Sequence, residues 1–256
     1  MNVVLIIFVI IFVIIMFYYF KNDLFFTFKP ANIVRPRGVS KKKIAVVTYE
    51  DRMDNEYYRI HKYNVKQYCD RNEYSYFKNE FDNQECASKS PYWYKIEQCM
   101  RVLQSDQYDY VLWMDSDAVF VNLENRIEQF LDMKFDIFIG VDNYYSLFQN
   151  NLCAGVFIIK SSDIGKSFLR ECLNTFDCKQ CFKKDNKTLN GPWAQGKCYE
   201  QGVMSRLIKR KYNDSCLVWN SQIVQNGHSL NKVNPNVEFI YHCAGSPKAN
   251  LRKFIP

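Results

Sequence analysis

The sequence is poor in the residues and patterns that mark several common classes of protein. Only three of its 256 residues are histidine, and its net charge of +7 lies well below the basic density of a nucleic-acid-binding domain, so no nucleic-acid partner is expected. No internal repeat is evident, which argues against a repeat architecture. Cys178-x-x-Cys181 has no second cysteine or histidine pair to complete a zinc-binding spacing, and disulfide bonds are therefore favoured over a zinc knuckle.

An uncharged run of 18 residues is present near the N-terminus, from Val3 to Phe20. As a helix it is roughly 27 Å long, which is just enough to cross a bilayer. It lacks a charged leading segment and a small-residue cleavage site, so an uncleaved anchor is favoured over a signal peptide. We predict a transmembrane anchor over residues 1–20, a stem over 21–42 and one folded domain over 43–256.

Two features of the sequence give opposite indications about the side of the membrane on which this domain lies. The positive charges all follow the anchor, and the positive-inside rule would place the domain in the cytoplasm. The ten cysteines all lie outside the anchor and favour an oxidising lumen. We favour a luminal domain in a Golgi- or ER-type compartment, and the cytoplasmic orientation stays open.

The segment with the clearest chemical signal is Tyr108–Asn122, YDYVLWMDSDAVFVN. Its apolar and β-branched residues predict a buried strand, in which two carboxylates are costly unless something compensates them. Because alternate residues of a strand point to the same side, Asp115 and Asp117 converge on one point. Hard oxygen ligands of this kind suit a divalent cation such as Mn²⁺ or Mg²⁺. A strand-end turn with two solvated acids is the alternative.

Other candidate contacts follow the first predicted strand and open a later helix. Lys43–Tyr49 predicts a strand that ends in a polar loop, and α/β folds bind nucleotides at such strand ends. Thr48 and Tyr49 are therefore candidates to contact a base or ribose, although a strand end with nothing bound has the same pattern. Lys95 lies in the second turn of a helix that begins at Pro91, where it faces either a phosphate or solvent.

The C-terminal half contains three more candidates. Glu200 and Gln201 open a helix, where an acid and an amide either cap the helix or project into a cleft. His242 follows a predicted strand over Glu238–Tyr241, and a lone histidine in that position is more often structural than a metal ligand.

The order of apolar runs predicts an α/β fold, with strand–helix–strand–helix–strand leading to Asp115. We then expect a helix over Leu123–Met133, a strand over Asp136–Val141, a further strand that ends near Ile159, and an amphipathic helix over Ser162–Phe176.

Four short segments together resemble a known enzyme family. They are Trp93-Tyr94-Lys95, Leu112–Ala118 (LWMDSDA), Glu200-Gln201-Gly202 and His242–Lys248 (HCAGSPK). Over roughly residues 43–250 the chain resembles retaining glycosyltransferases of the GT-A fold. It is most similar to the family of plant xyloglucan xylosyltransferases, yeast Golgi α-1,6-mannosyltransferase subunits and fungal α-galactosyltransferases, and it shares the C-terminal H-x-x-G-x-x-K pattern of the glycogenin-like family.

The resemblance implies one Rossmann-like GT-A catalytic domain over residues 43–256, with a mixed, mostly parallel central sheet. It implies metal-dependent, retaining transfer of a hexose or pentose from a nucleotide-diphosphate sugar to a glycan or glycoprotein acceptor. A UDP-sugar is favoured over GDP-mannose as the donor, Mn²⁺ or Mg²⁺ is the expected metal, and homo- or hetero-oligomers are compatible with the family.

The resemblance also implies roles for the matching residues. These are Asp115, Asp117 and His242 for the metal; Thr48, Tyr49, Lys95, Asp115, Ser116, Gly245 and Lys248 for the donor; and Glu200 and Gln201 near the transferred sugar. We favour front-face substitution, in which the leaving phosphate helps to deprotonate the acceptor. Glu200 then has an orienting or cation-stabilising role, with a covalent nucleophile as the alternative.

Two departures from the family pattern concern the sugar side of the site. Glu200 replaces the family's aspartate, and Cys153-Ala154-Gly155 stands where the family has Asn-x-Gly. They leave open a catalytically inactive, membrane-anchored subunit that binds carbohydrate or nucleotide. The intact acids, His242 and Lys248 favour the active enzyme.

Overall fold

A six-stranded sheet organises the chain in the computed structural model. The structure describes residues 9–12, 40–78, 90–141, 152–185, 188–191, 196–227, 237–244, 248 and 251–252. Within these parts, no helix is both long and apolar enough to span a bilayer. The predicted anchor and stem lie outside the described residues, apart from a helical segment at 9–12 and the residues 40–42.

The described strands and helices alternate over residues 44–114, and strands or helices follow one another in groups after that. The strands are β1 (Ile44–Thr48), β2 (Ser75–Lys78), β3 (Tyr110–Met114), β4 (Ala118–Phe120), β5 (Ile137–Val141), β6 (Leu152–Lys160), β7 (Cys216–Trp219), β8 (Val224–Asn226) and β9 (Ile240–His242). The helices are α1 (Glu56–Asn72), α2 (Pro91–Gln104), α3 (Asp163–Thr175), α4 (Cys178–Cys181) and α5 (Glu200–Leu207), with a π-helical turn at Ile208–Tyr212 and 3₁₀ turns at Ile127–Phe130 and Asn213–Ser215.

The main sheet has the strand order β2-β1-β3-β6-β5-β7. Neighbouring strands are parallel except that β6 runs antiparallel to both β3 and β5. The predicted mixed, mostly parallel sheet is therefore confirmed. A second, three-stranded sheet has the order β4-β9-β8, with β4 antiparallel and β8 parallel to β9.

Helices cover both faces of the main sheet, which explains why its strands are apolar almost without interruption. Ala45 and Val47 of β1 pack in the cluster that contains α2, α3 and α5, whereas Ile44 and Val46 pack in the cluster that contains α1. The strand β3 is buried throughout, as its sequence predicts.

The expected helix over Leu123–Met133 is wrong, since the structure has a single 3₁₀ turn over Ile127–Phe130. The backbone is already extended again at Leu131. This one turn suffices to bury Ile127, Phe130 and Leu131, so the apolar pattern is satisfied without a longer helix.

The cysteines of the polar segment after α3 form disulfide bonds, as predicted. Cys181 is bonded to Cys198, and Cys178 is also in a disulfide. Six further cysteines are described as free and buried. The Cys181–Cys198 bond ties the short helix α4 to the segment that leads into Glu200 at the start of α5.

Candidate metal and donor site

The two sheets meet at the segment Asp115–Asp117. Asp115 directly follows β3 of the main sheet, and Asp117 directly precedes β4 of the second sheet. The turn between them is held by a hydrogen bond from the Ala118 amide to the Asp115 carbonyl (2.9 Å). Ala118 is paired with His242 across the antiparallel β4–β9 ladder. This pairing brings His242, which lies 125 positions after Asp117 in the sequence, to the two acids.

Asp115, Asp117 and His242 form one cluster, in which each residue has a ligand atom within 4.8 Å of the others. Nε2 of His242 lies 3.3 Å from Oδ1 of Asp117 and 3.8 Å from Oδ2 of Asp115. Asp117 and His242 are buried, and Asp115 is partly exposed. Two carboxylates and one imidazole that face a common point are a donor set suited to Mn²⁺ or Mg²⁺.

Gly155 of β6 leaves the space that the His242 ring occupies. A Cβ at this position would lie 2.0 Å from Cε1 of His242. The β5–β6 register also shifts between Ile139 and Gly140, opposite this part of β6. Such irregularities often occur next to sites because they redirect the backbone locally. Gly155 thus makes room for the His242 ring, because any larger residue at this position would clash with it.

Two lysines flank the cluster on different sides. Nζ of Lys248 lies 2.9 Å from Oδ2 of Asp117 and 4.1 Å from the centre of the Tyr57 ring. Nζ of Lys95 lies 2.9 Å from Oδ1 of Asp115 and 3.1 Å from Oε1 of Glu200. The surface alternative for Lys95 is thereby excluded, because its side chain is almost fully buried between two acids.

The pKa shifts show that the cluster stabilises positive charge. Burial alone disfavours the charged form of His242, but the potentials of Cys153 and Asp117 outweigh it and raise the pKa of its ring well above the usual value. Burial likewise opposes ionisation of Asp117, yet His242 and Lys248 hold the pKa of its carboxyl below its usual range. Asp117 is therefore a carboxylate at neutral pH, as a metal ligand must be.

Glu200 and Gln201 lie behind the cluster, beneath β6. One oxygen of Glu200 pairs with Lys95, and the other has no hydrogen-bond partner among the described residues. Burial, with a smaller contribution from Asp115, raises the pKa of Glu200 against the opposing effect of Lys95. Oε1 of Gln201 accepts a hydrogen bond from the Ala154 amide (3.0 Å). Glu200 therefore fixes the position of Lys95, and Gln201 fixes the backbone of β6 at Ala154; we call this part of β6 the floor of the site.

The cluster opens into a cleft with a volume of about 380 Å³. The lining residues are Tyr49, Glu50, Asp51, Arg52, Pro91, Tyr92, Lys95, Trp113, Asp115, Ser116, Asp117 and Lys248. The predicted donor residues Tyr49, Lys95, Ser116 and Lys248 are thus brought to one cleft. Gly245 lies outside the described residues.

Thr48 is not brought to this cleft. Its side chain is buried, and its hydroxyl lies 3.0 Å from both the Met114 carbonyl and Nε2 of His61. Because side chains alternate along a strand, Thr48 faces α1 while the next residue, Tyr49, reaches the cleft. Thr48 ties β1 to β3 and α1, and only Tyr49 remains a candidate to contact the donor.

Sequence reasoning missed Glu50, which organises the entrance of the cleft. Its buried carboxylate accepts hydrogen bonds from Ser116 (2.7 Å), Tyr57 (2.9 Å) and Arg52 (2.8 Å). Burial opposes its ionisation, but these hydrogen bonds lower its pKa to about 2. The available signal was its place two residues after β1, in the polar loop at the carboxyl end of a parallel strand.

Comparisons with known proteins give a family and a fold. Residues 65–215 match a family model described as "Protein of unknown function, DUF273", and no curated protein matches the chain. One similar solved structure is "a glycosyltransferase involved in the glycosylation of the major capsid of PBCV-1". The match has a TM-score of 0.54 at 13% identity and covers 83% of this chain and 98% of that one, which shows a shared fold. A second, A197 from STIV, has a TM-score of 0.37 at 12% identity over 70% of this chain and 82% of that one, too low to support an argument.

Proposed function

The chain belongs to the family described as "Protein of unknown function, DUF273", and we propose that this member is a metal-dependent glycosyltransferase. Its donor is a nucleotide-diphosphate sugar, with a UDP-sugar favoured over GDP-mannose. It transfers a hexose or pentose with retention of configuration to a glycan or glycoprotein. The observation that carries the proposal is the convergence of Asp115, Asp117 and His242 beside two lysines in one cleft.

The donor set fits a hard divalent cation of the size of Mn²⁺ or Mg²⁺. Asp115, Asp117 and His242 would hold it, and it would supply a Lewis acid for the departing diphosphate. The charges of the site support this assignment. Without a cation, three carboxylates (Asp115, Asp117 and Glu200) face two ammonium groups and the His242 ring, whose raised pKa favours its charged form, so the charges balance. A divalent cation in place of the ring proton leaves the site with a net positive charge, which attracts an anionic diphosphate.

The two lysines have different tasks in the proposed reaction. Lys248 is partly exposed at the cleft and can exchange its partner, Asp117, for a phosphate oxygen. Lys95 is buried between Asp115 and Glu200 and supplies a fixed positive charge beside the leaving group. Preorganised charge in a water-poor site typically contributes about 10²–10³ in rate per group.

We assign Glu200 an orienting role and not that of a nucleophile. Its carboxylate is buried behind Lys95, and a nucleophile must reach the anomeric carbon of the donor. Front-face substitution agrees with this arrangement, because it needs no protein nucleophile. Glu200 then acts through Lys95, and Gln201 holds the β6 segment that forms the floor of the site.

The test is hydrolysis of nucleotide sugars with Mn²⁺ present, on a panel of UDP- and GDP-sugars. We expect Asp117→Asn and His242→Ala to abolish turnover while the protein stays folded. Asp70→Asn, which changes an exposed acid on α1, is the matched control and should retain turnover. Donor and Mn²⁺ binding without turnover by the wild type would favour the inactive binding subunit instead. Absence of any Mn²⁺ binding would overturn the metal site.

The domain division and the location of the protein form part of the same proposal. We propose an anchor over residues 1–20, a stem over 21–42 and a catalytic domain over 43–256 on the luminal side of a Golgi- or ER-type membrane. The Cys181–Cys198 disulfide supports this orientation, because such bonds persist in oxidising compartments. Protease treatment of sealed vesicles tests it: full digestion without detergent would contradict a luminal domain.

A further inference from the structure

A second group of buried residues lies on the far side of the His242 ring from the acids. Asn226 of β8 is directly opposite His242 in the parallel β8–β9 ladder, and it is fully buried. Its Oδ1 lies 2.8 Å from Nδ1 of His242, and its Nδ2 donates to the Val141 carbonyl at 2.9 Å. Nothing in the sequence patterns singled out this residue.

These contacts determine which ring nitrogen of His242 carries a hydrogen. The Val141 carbonyl only accepts hydrogen bonds, so the NH₂ of Asn226 must face it and Oδ1 must face His242. An amide oxygen also only accepts, so Nδ1 of His242 must be the donor. In the neutral ring, the lone pair is then on Nε2, and Nε2 is the atom that faces Asp115 and Asp117. Nε2 is thus the ring atom that can share a cation with the two carboxylates.

The surrounding backbone leaves space for both side chains of this pair. A Cβ at Gly155 would lie 2.0 Å from the His242 ring, and a Cβ at Gly140 would lie 2.8 Å from Nδ2 of Asn226. Sγ of Cys153 adds a contact to Nδ1 at 3.6 Å. Two glycines on neighbouring strands therefore leave room for one asparagine–histidine pair, which is held from β5, β6 and β8.

We propose that Asn226 is a positioning residue for the metal site: it holds His242 in the tautomer and orientation that present Nε2 to a divalent cation. This inference rests on the proposed function, since it assigns a second layer to the same site. Partners of this kind typically change metal affinity by about 10–100-fold, because they orient the ring and raise its basicity as a ligand.

The test is the Mn²⁺ affinity of the full chain in detergent, measured by the EPR signal of unbound Mn²⁺. We expect Asn226→Ala to weaken binding by about 10–100-fold. Asn226→Asp should restore binding to within about threefold of the wild type or better, because a carboxylate also accepts from Nδ1 and is a common partner of metal-bound histidine. Asn72→Ala is the control, since it removes another buried asparagine whose amide caps carbonyl groups of α1 and a loop.

The variants separate failure of this inference from failure of the proposed function. If the wild type binds no Mn²⁺, or if His242→Ala binds it normally, the metal site itself is wrong. If those two behave as expected but Asn226→Ala binds within twofold of the wild type, the positioning role is overturned. An equal loss in Asn72→Ala and Asn226→Ala, without rescue by Asn226→Asp, would also overturn it, because the effect would then be one of general stability.

Discussion

Substitution of Gly155 by alanine tests the geometry of the site most sharply. The added Cβ would lie 2.0 Å from Cε1, 2.5 Å from Nδ1 and 2.6 Å from Nε2 of His242. To reach an ordinary contact the ring must move by about 1.4 Å. Metal–ligand distances tolerate only about 0.2 Å, so the ring would leave the coordination position. One methyl group should therefore act like the loss of the histidine.

We expect Gly155→Ala to weaken Mn²⁺ binding by at least about tenfold. Donor hydrolysis should fall by at least about 10²–10³, towards the loss expected for His242→Ala. Overpacking in a buried site typically costs about 1–3 kcal/mol, so the free energy of unfolding should fall by this amount. EPR, turnover and denaturant unfolding measure the three effects.

Two further variants show whether the clash with the ring is the cause. Gly227→Ala is the matched control, because its added Cβ meets the Tyr241 ring at 3.5 Å, an ordinary contact. In the double variant Gly155→Ala with His242→Ala, the ring is gone, and most of the stability lost through Gly155→Ala should return. Additive losses in the double variant, or normal Mn²⁺ binding by Gly155→Ala, would refute the reasoning.

Three other expectations concern stability. Lys95→Met should reduce the free energy of unfolding by about 3–5 kcal/mol, because it leaves two carboxylates without their buried cation; a loss below about 1 kcal/mol in denaturant unfolding would contradict this. The pKa of Glu50 is lowered to about 2, so its ionised form stabilises the fold above the unfolded pKa near 4.5. The stability difference between wild type and Glu50→Gln should therefore shrink as pH falls from about 5 to 2 in urea titrations, and a constant difference would be inconsistent. Replacing Cys181 and Cys198 by serine should cost about 3 kcal/mol, because their bond closes a loop with a sequence separation of 17, and reductant should cost the wild type at least as much, since it also opens the disulfide of Cys178.

The sequence predicts well those parts of the site that follow from local patterns. The apolar run of β3 and the acids at its end predicted the convergence of Asp115 and Asp117, although the two acids lie in the turn between β3 and β4 and not in one continuous strand. The position of Lys95 required the resemblance to a known family, since a lysine on a helix is ordinarily a surface residue. The same is true of His242, which the β4–β9 pairing brings to the acids.

Other parts depend on tertiary pairing that no local pattern shows. Asn226 meets His242 only through the register of β8 against β9, and those segments are separated in the chain by 16 positions. Thr48 was expected in the cleft, but the alternation of β1 turns it towards His61. The prediction of a helix over Leu123–Met133 was also wrong, because the apolar spacing of this segment fits one 3₁₀ turn followed by an extended segment equally well.

The join between the two sheets has a consequence for how the site forms during synthesis. Among the described strands, β4 pairs with β9 alone, and β9 carries the imidazole that completes the cluster. A chain that stops before residue 240 has both aspartates but lacks the third ligand and the strand that aligns them. Binding of the cation would therefore show that the C-terminal part of the chain has packed against β4, since shorter chains lack one of the three ligands.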